Sequence, residues 1–135
     1  MAGKPGVPHP WNLGKMKKGL ERTAVPTMLD IAWAAGVYEG EGTANGYAGR
    51  KRPHILATQV RIGQKNPWIL HRCKELFGGH ISTSINNSPL NTDRLPITMY
   101  TWQISGARAR GFLMTIYKFL SPRRKEQAKK ALGLV

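Results

Sequence analysis

The chain has 135 residues, 41% of them hydrophobic, and 21 lysines and arginines against 7 acids, for a formal net charge of +14. That length suits one domain with its own core, and no apolar run approaches the roughly 18 residues of a transmembrane helix. No apolar stretch follows Lys4, Lys15, Lys17 and Lys18 as in a secretory signal, and the single Cys73 excludes an internal disulfide and a cysteine-based zinc cluster.

These features fit a reducing, intracellular setting. The basic excess points to a polyanionic partner, nucleic acid foremost, held through counterion release. A merely soluble or ribosome-associated basic protein has the same composition. A membrane partner would call for a basic amphipathic helix or a lipidation signal, and none is clear.

Residues 1–26 contain Pro5, Pro8, Pro10 and Pro26 with four glycines, and they read as an extended basic arm. The domain is expected over 27–135. Thr27, with Asp30 three residues on, reads as the N-cap of a helix over Met28–Glu39. That helix is apolar nearly all round, so burial on more than one side is expected. Gly40 and Gly42 are read as its stop, and Gly42–Gly49 as a short strand.

A turn at Arg50-Lys51-Arg52-Pro53 leads into a second strand. There Leu56, Thr58, Val60 and Ile62 alternate with Ala57, Gln59 and Arg61, so one face is buried and the other is polar and basic. Asn66 and Pro67 start a helix over Trp68–Phe77, stopped by Gly78-Gly79. Strands follow over His80–Ile85 and Ile97–Ser105, with a polar loop between. A helix over Ala107–Leu120 and a short basic one over Pro122–Leu132 complete the chain. Strand pairs of this kind imply an antiparallel sheet backed by helices, an α+β fold.

Charge is unevenly placed. Residues 42–74 contain no acid but carry Arg50, Lys51, Arg52, Arg61, Lys65, Arg72 and Lys74. Two of the seven acids, Glu39 and Glu41, stand at the C-terminal end of the first helix. The helix dipole and free carbonyls already make that end negative, which disfavours acids there. A divalent cation reverses the argument, because carboxylate and carbonyl oxygens are the hard ligands Mg²⁺ prefers. Taken alone, the Glu-Gly-Glu triplet also fits a solvated pair. Gly36 and Gly40, four apart, share one helix face and imply close approach of another backbone, either from this chain's own second helix or from elsewhere.

The segment Ala34-Ala35-Gly36-Val37-Tyr38-Glu39-Gly40-Glu41-Gly42 resembles the LAGLIDADG motif of homing endonucleases. Gln59–Lys65, Leu76–Ile81, Tyr100–Gly106 and Phe112–Leu120 resemble, in the same order, that family's later strands and helices, so the likeness covers about residues 28–120. It implies an α-β-β-α-β-β-α unit whose saddle-shaped antiparallel sheet enters the DNA major groove. One motif copy matches the homodimeric class, with Gly36 and Gly40 at the dimer interface. Glu41 and the Gly40 carbonyl then match the ligands of Mg²⁺ or another divalent cation such as Mn²⁺. Glu41 is thereby catalytic, and Gln64 matches a polar residue that positions water.

The implied activity is hydrolysis of both strands of a long pseudo-palindromic duplex, as in intron homing, with no small-molecule cofactor. The DNA-binding set is Asn45, Tyr47, Arg50, Lys51, Arg52, Gln59, Arg61 and Lys65. The arm lysines and Arg123, Arg124 and Lys125 are expected on phosphates only. One departure stands out: where the family often has a Lys or Arg at the end of the fourth strand, this chain has Ile104-Ser105-Gly106. Arg61 and Arg108 are the basic residues available in its place.

Glu39 is expected to be structural, His54, His71 and His80 to lie at the surface or face phosphate, and Trp33, Trp68 and Trp102 to lie in the core. A non-cleaving DNA-binding regulator and an RNA-binding intron maturase are the alternatives on the same fold.

Overall fold

The structure, a computed structural model, describes residues 19–48, 56–86 and 96–134. Its elements run α1 (Met28–Glu41), β1 (Gly42–Ala48), β2 (Leu56–Gln64), α2 (Trp68–Phe77), β3 (His80–Asn86), β4 (Ile97–Ser105), α3 (Gly106–Ile116) and α4 (Pro122–Leu132), with a 3₁₀ turn over Tyr117–Phe119 before α4. The four strands form one antiparallel sheet in the order β1-β2-β4-β3. This is the α+β order that the sequence implies.

Alternation along β2 settles which sheet face is covered. Thr58, Val60 and Ile62 are buried, and Arg61 between them is exposed. With Trp102 and Ile104 of β4 they meet Ala34, Ala35 and Tyr38 of α1, Leu70 and Cys73 of α2, and Phe112, Leu113 and Ile116 of α3. Phe112 is the aromatic centre, with ring centroids 4.9 Å from Phe77, 5.3 Å from Trp102 and 6.1 Å from Tyr38. The fully buried Thr58 hydroxyl donates to the Ala131 carbonyl at 2.9 Å, which meets its hydrogen-bonding need inside the core. Burial pushes the Cys73 thiol up to about 12, so it stays neutral.

Local signals explain the element ends. Thr27 caps α1 in a capping box: its hydroxyl accepts from the Asp30 N–H at 3.2 Å, and its own N–H donates to Asp30 Oδ2 at 2.9 Å. Asn66 accepts from the Trp68 N–H at 3.0 Å, although the first helical residue is Trp68 and not Pro67. At the end of α2, Gly78 and Gly79 both have positive φ, 77° and 95°. A Cβ on Gly79 would strike Ile104 and the Gln103 carbonyl. The turn leaves the Gly78 carbonyl to accept from Trp102 Nε1 at 2.8 Å.

Several expectations are corrected. Helix α1 does not stop at Glu39 but runs through Gly40 to Glu41, and Gly42 is its C-cap. It is not buried on more than one side: Ala34, Ala35 and Tyr38 are buried, whereas Leu29, Ala32, Gly36 and Gly40 are exposed. The expected helix over Ala107–Leu120 tightens into the 3₁₀ turn after Ile116. Trp68 is 66% exposed and not in the core, because it starts α2 beyond the core's rim, where it meets Trp33 edge to face at 6.4 Å. Part of the N-terminal arm is docked: the Leu20 carbonyl accepts from the Gly79 N–H at 2.8 Å, and the Thr23 and Ala24 N–H groups both donate to the Glu75 carbonyl at 2.9 Å.

Gly79→Ala should destabilise the protein by at least about 2 kcal/mol, from a left-handed backbone plus two contacts that cannot both relax. Urea unfolding of the two proteins measures it, and a difference near zero would mean the turn tolerates a side chain.

Candidate functional site

The last turn of α1 carries two acids with different fates. Residues i and i+2 point to opposite sides of a helix. Glu39 therefore faces α4 and Glu41 faces away from it. The Glu39 carboxylate accepts from the Ser121 N–H at 2.7 Å and from the Ser121 hydroxyl at 2.9 Å, with Arg124 Nε at 3.8 Å. The Ser121 N–H above all holds the Glu39 carboxyl below its ordinary range; burial opposes it next in size, and the Ser121 hydroxyl, then Arg124, add to the lowering. Glu39 thus ties α1 to the start of α4.

Arg124 corrects its expected placement on phosphate. It is buried, lies 5.4 Å over the Tyr38 ring, and donates to the carbonyls of Glu39 and Gly42 at 3.1 Å and 2.7 Å. The helix-end carbonyls that make this turn negative attract a cation inward, a tertiary effect that charge counting along the chain does not reveal. Arg123 is exposed and Lys125 half-buried.

Glu41 is exposed and lines an open hollow with Ala32, Trp33, Gly36, Val37, Gly40, Gln64 and Ile69. Three residues drawn from the motif and from the end of β2, Gly40, Glu41 and Gln64, are thereby brought to one place. The ion pairs of Asp30, Glu39, Glu75 and Glu126 leave Glu41 without a cation among the described residues. A Cβ on Gly36 or Gly40 would meet nothing within 4 Å, so these glycines serve no close contact among the described residues.

A carboxylate, an amide and helix-end carbonyl oxygens are donors that suit a hard divalent cation. Among the described residues, however, no group of three or more His, Cys, Asp or Glu could hold a metal ion. Among the described residues, the hollow is lined by a single carboxylate, that of Glu41.

The sheet face turned away from the helices is polar. Thr43, Arg61, Gln103 and His80 stand in one cross-strand row, with Asn45, Gln59 and Ser105 in the next toward the far end of β1. Toward the other end lie Gly63, Thr101 and Ser82. Asn45, Tyr47, Arg61 and Lys65 are exposed and Gln59 is half-buried. Arg50, Lys51 and Arg52, and the arm lysines Lys15, Lys17 and Lys18, lie outside the described residues.

Thr43, Gln103 and Thr101 are not among the residues expected in the site, and His80 is expected at the surface or facing phosphate. The alternation of Thr101 and Gln103 with the buried Trp102 and Ile104 was the signal available. Of the two replacement cations, Arg61 faces out opposite Thr43, two residues beyond Glu41. Arg108 instead lies beside Gly78 at the end of α2, where a Cβ on Gly78 would come 3.2 Å from its Nε.

No protein-family profile matches the chain, and no curated protein matches it in sequence. Solved structures do match its fold. One is the homing endonuclease I-CvuI in complex with the I-CreI target in the presence of Mg, with the DNA not cleaved. It has a TM-score of 0.52 at 19% identity over 78% of this chain and 64% of that one. Another is the group I intron-encoded homing endonuclease I-CeuI complexed with DNA, with a TM-score of 0.56 at 13% identity over 81% of this chain and 56% of that one. The chain thus spans less than two thirds of either neighbour's length. At these identities the likeness shows a shared fold. No helix among the described residues is long and apolar enough to cross a membrane.

Because the folded Glu39 carboxyl titrates below its ordinary value of 4.5, its contribution to stability is present above the unfolded value and lost as pH falls through the folded one. Glu39→Gln should therefore make the loss of stability below about pH 4.5 shallower than in the wild type. Thermal melts between about pH 2.5 and 6.5, roughly two units either side of that value, measure it; identical profiles would place the Ser121 contact outside the acid response.

Proposed function

We propose that the chain is a divalent-metal-dependent DNA endonuclease of the LAGLIDADG homing type, working as a homodimer on a pseudo-palindromic duplex. The observation that carries this reading is Glu41, unpaired among the described residues, at the end of a helix whose glycine-bearing face no other described element covers, beside an acid-free polar sheet. Packing two copies of α1 through Gly36 and Gly40 would cover that face and bring two Glu41 carboxylates together, which supplies a second acid beyond the one found among the described residues of a single hollow.

In this reading Glu41 and the Gly40 carbonyl hold Mg²⁺ or Mn²⁺, and Gln64 orients water toward the scissile phosphate. The cation, when bound, neutralises charge building on the phosphate oxygens and favours deprotonation of water. Arg61 is the cation nearest in sequence register to take the part of the absent basic residue at Ile104-Ser105-Gly106. The outward face of β1 and β2 reads bases, with Arg61 suited to guanine and Gln59 to adenine. Lys65, Arg123 and the arm lysines contact phosphates.

The test is cleavage of a randomised duplex library in Mg²⁺, with sequencing of the new ends. Wild-type protein, at twice the chain mass by light scattering, should yield one pseudo-palindromic site. Glu41→Gln should abolish cleavage and leave binding intact or tighter. Specific binding with no cleavage by the wild type would instead describe a regulator, and preference for structured RNA a maturase.

The sheet carries its own prediction. On the selected site Arg61→Ala should cost ~1–3 kcal/mol and relax preference at one base position per half-site. Anisotropy titrations on selected and scrambled duplexes measure it, and an equal loss on both would mean that the sheet does not read sequence.

A further inference from the structure

Arg124 is the most completely enclosed cation among the described residues, and its surroundings have a purpose beyond packing. A buried guanidinium is unfavourable unless its donors are paired. Here Nε donates to the Glu39 carbonyl at 3.1 Å, and Nη1 donates to the Gly42 carbonyl at 2.7 Å and to Gln127 Oε1 at 3.0 Å. The plane lies over the Tyr38 ring, against which Gly42 packs so closely that a Cβ there would strike it. Glu39 is held from its other end by Ser121.

The two carbonyls that accept from Arg124 belong to the residues that bracket Gly40 and Glu41. The last four carbonyls of a helix lack intrahelical partners, and two glycines in four residues lower the turn's resistance to fraying. Arg124 supplies the missing donors on the side away from the hollow.

We propose that Arg124, seated by the Glu39–Ser121 contact, is a positioning residue that fixes the Gly40–Glu41 turn in the geometry a divalent cation requires. The proposal rests on reading Glu41 as a metal ligand. Mg²⁺ demands near-ideal octahedral geometry, and small misplacements of its ligands are costly. Arginine suits the task because its fork reaches two carbonyls at once, whereas lysine carries one compact charge.

The experiment uses the full chain as wild type, Arg124→Lys and Ser121→Ala. The second variant loosens Glu39 without leaving a buried charge unpaired. Amide hydrogen exchange is followed together with the Mn²⁺ concentration that half-saturates both metal binding, by water proton relaxation with duplex present, and cleavage.

Arg124→Lys should speed exchange at the Glu41 and Gly42 amides about tenfold, leave α2 and β4 unchanged, and raise half-saturating Mn²⁺ about tenfold. Metal-free DNA affinity should hold within about twofold, and Ser121→Ala should shift the same readouts by about threefold. Unchanged half-saturation in both variants overturns the proposal. So does faster exchange throughout with cleavage lost at every Mn²⁺ concentration alike, which is the signature of a purely structural anchor. A wild type that neither binds Mn²⁺ nor cleaves brings down the endonuclease reading itself, and is told apart because the failure precedes any substitution.

Discussion

With no residue between the last turn of α1 and the first residue of β1, the chain passes from helix to strand at Gly42 itself. A helix that ends this abruptly leaves its terminal carbonyls without partners and without a loop to supply them. The partner comes from 82 to 85 residues away: α4 brings in Arg124, which donates to the Glu39 and Gly42 carbonyls, while Ser121 just before it holds the Glu39 carboxylate. That closure holds the motif helix at a set angle to the sheet, closes the edge of the fold at β1, and leaves Glu41 on the free side of the turn. Tyr38 marks the join, enclosed between the core aromatics and Arg124.

The sheet divides the molecule's chemistry between its two faces. One face needs apolar side chains to bury four helices, and β2 and β4 supply most of them at every second position. The other carries hydroxyl, amide, imidazole and guanidinium groups with no carboxylate among the rows described. An acid there would repel a polyanion at short range, where water screens least. Its absence costs the fold nothing, because the outward face bears no packing load. The open side of α1 differs: it is apolar, interrupted by two glycines, and contiguous with the hollow that holds Glu41 and Gln64. A surface of that composition is suited to another packed helix, not to solvent.

Much of this was legible in the sequence, for identifiable reasons. Period-two alternation in β2 separated Thr58, Val60 and Ile62 from Arg61. The Thr27–Asp30 box, the Gly78-Gly79 stop and Ser121-Pro122 fixed helix ends through local hydrogen bonding and backbone sterics, which neighbours in the chain decide among themselves. The family resemblance grouped Gly40, Glu41 and Gln64, and all three line one hollow. What only the tertiary structure decided were the terms that depend on partners distant along the chain. Gly40 reads as a stop, yet stays helical because Arg124 satisfies the turn that follows it. Arg124 reads as a surface cation, yet is drawn inward by carbonyl dipoles that have no sequence signature. Trp68 reads as core, yet its place at the first residue of α2 puts it beyond the core's rim. Which of two glutamates two residues apart would be tied down was decided by where α4 lands, because the helix directs them to opposite sides and α4 packs on only one of them.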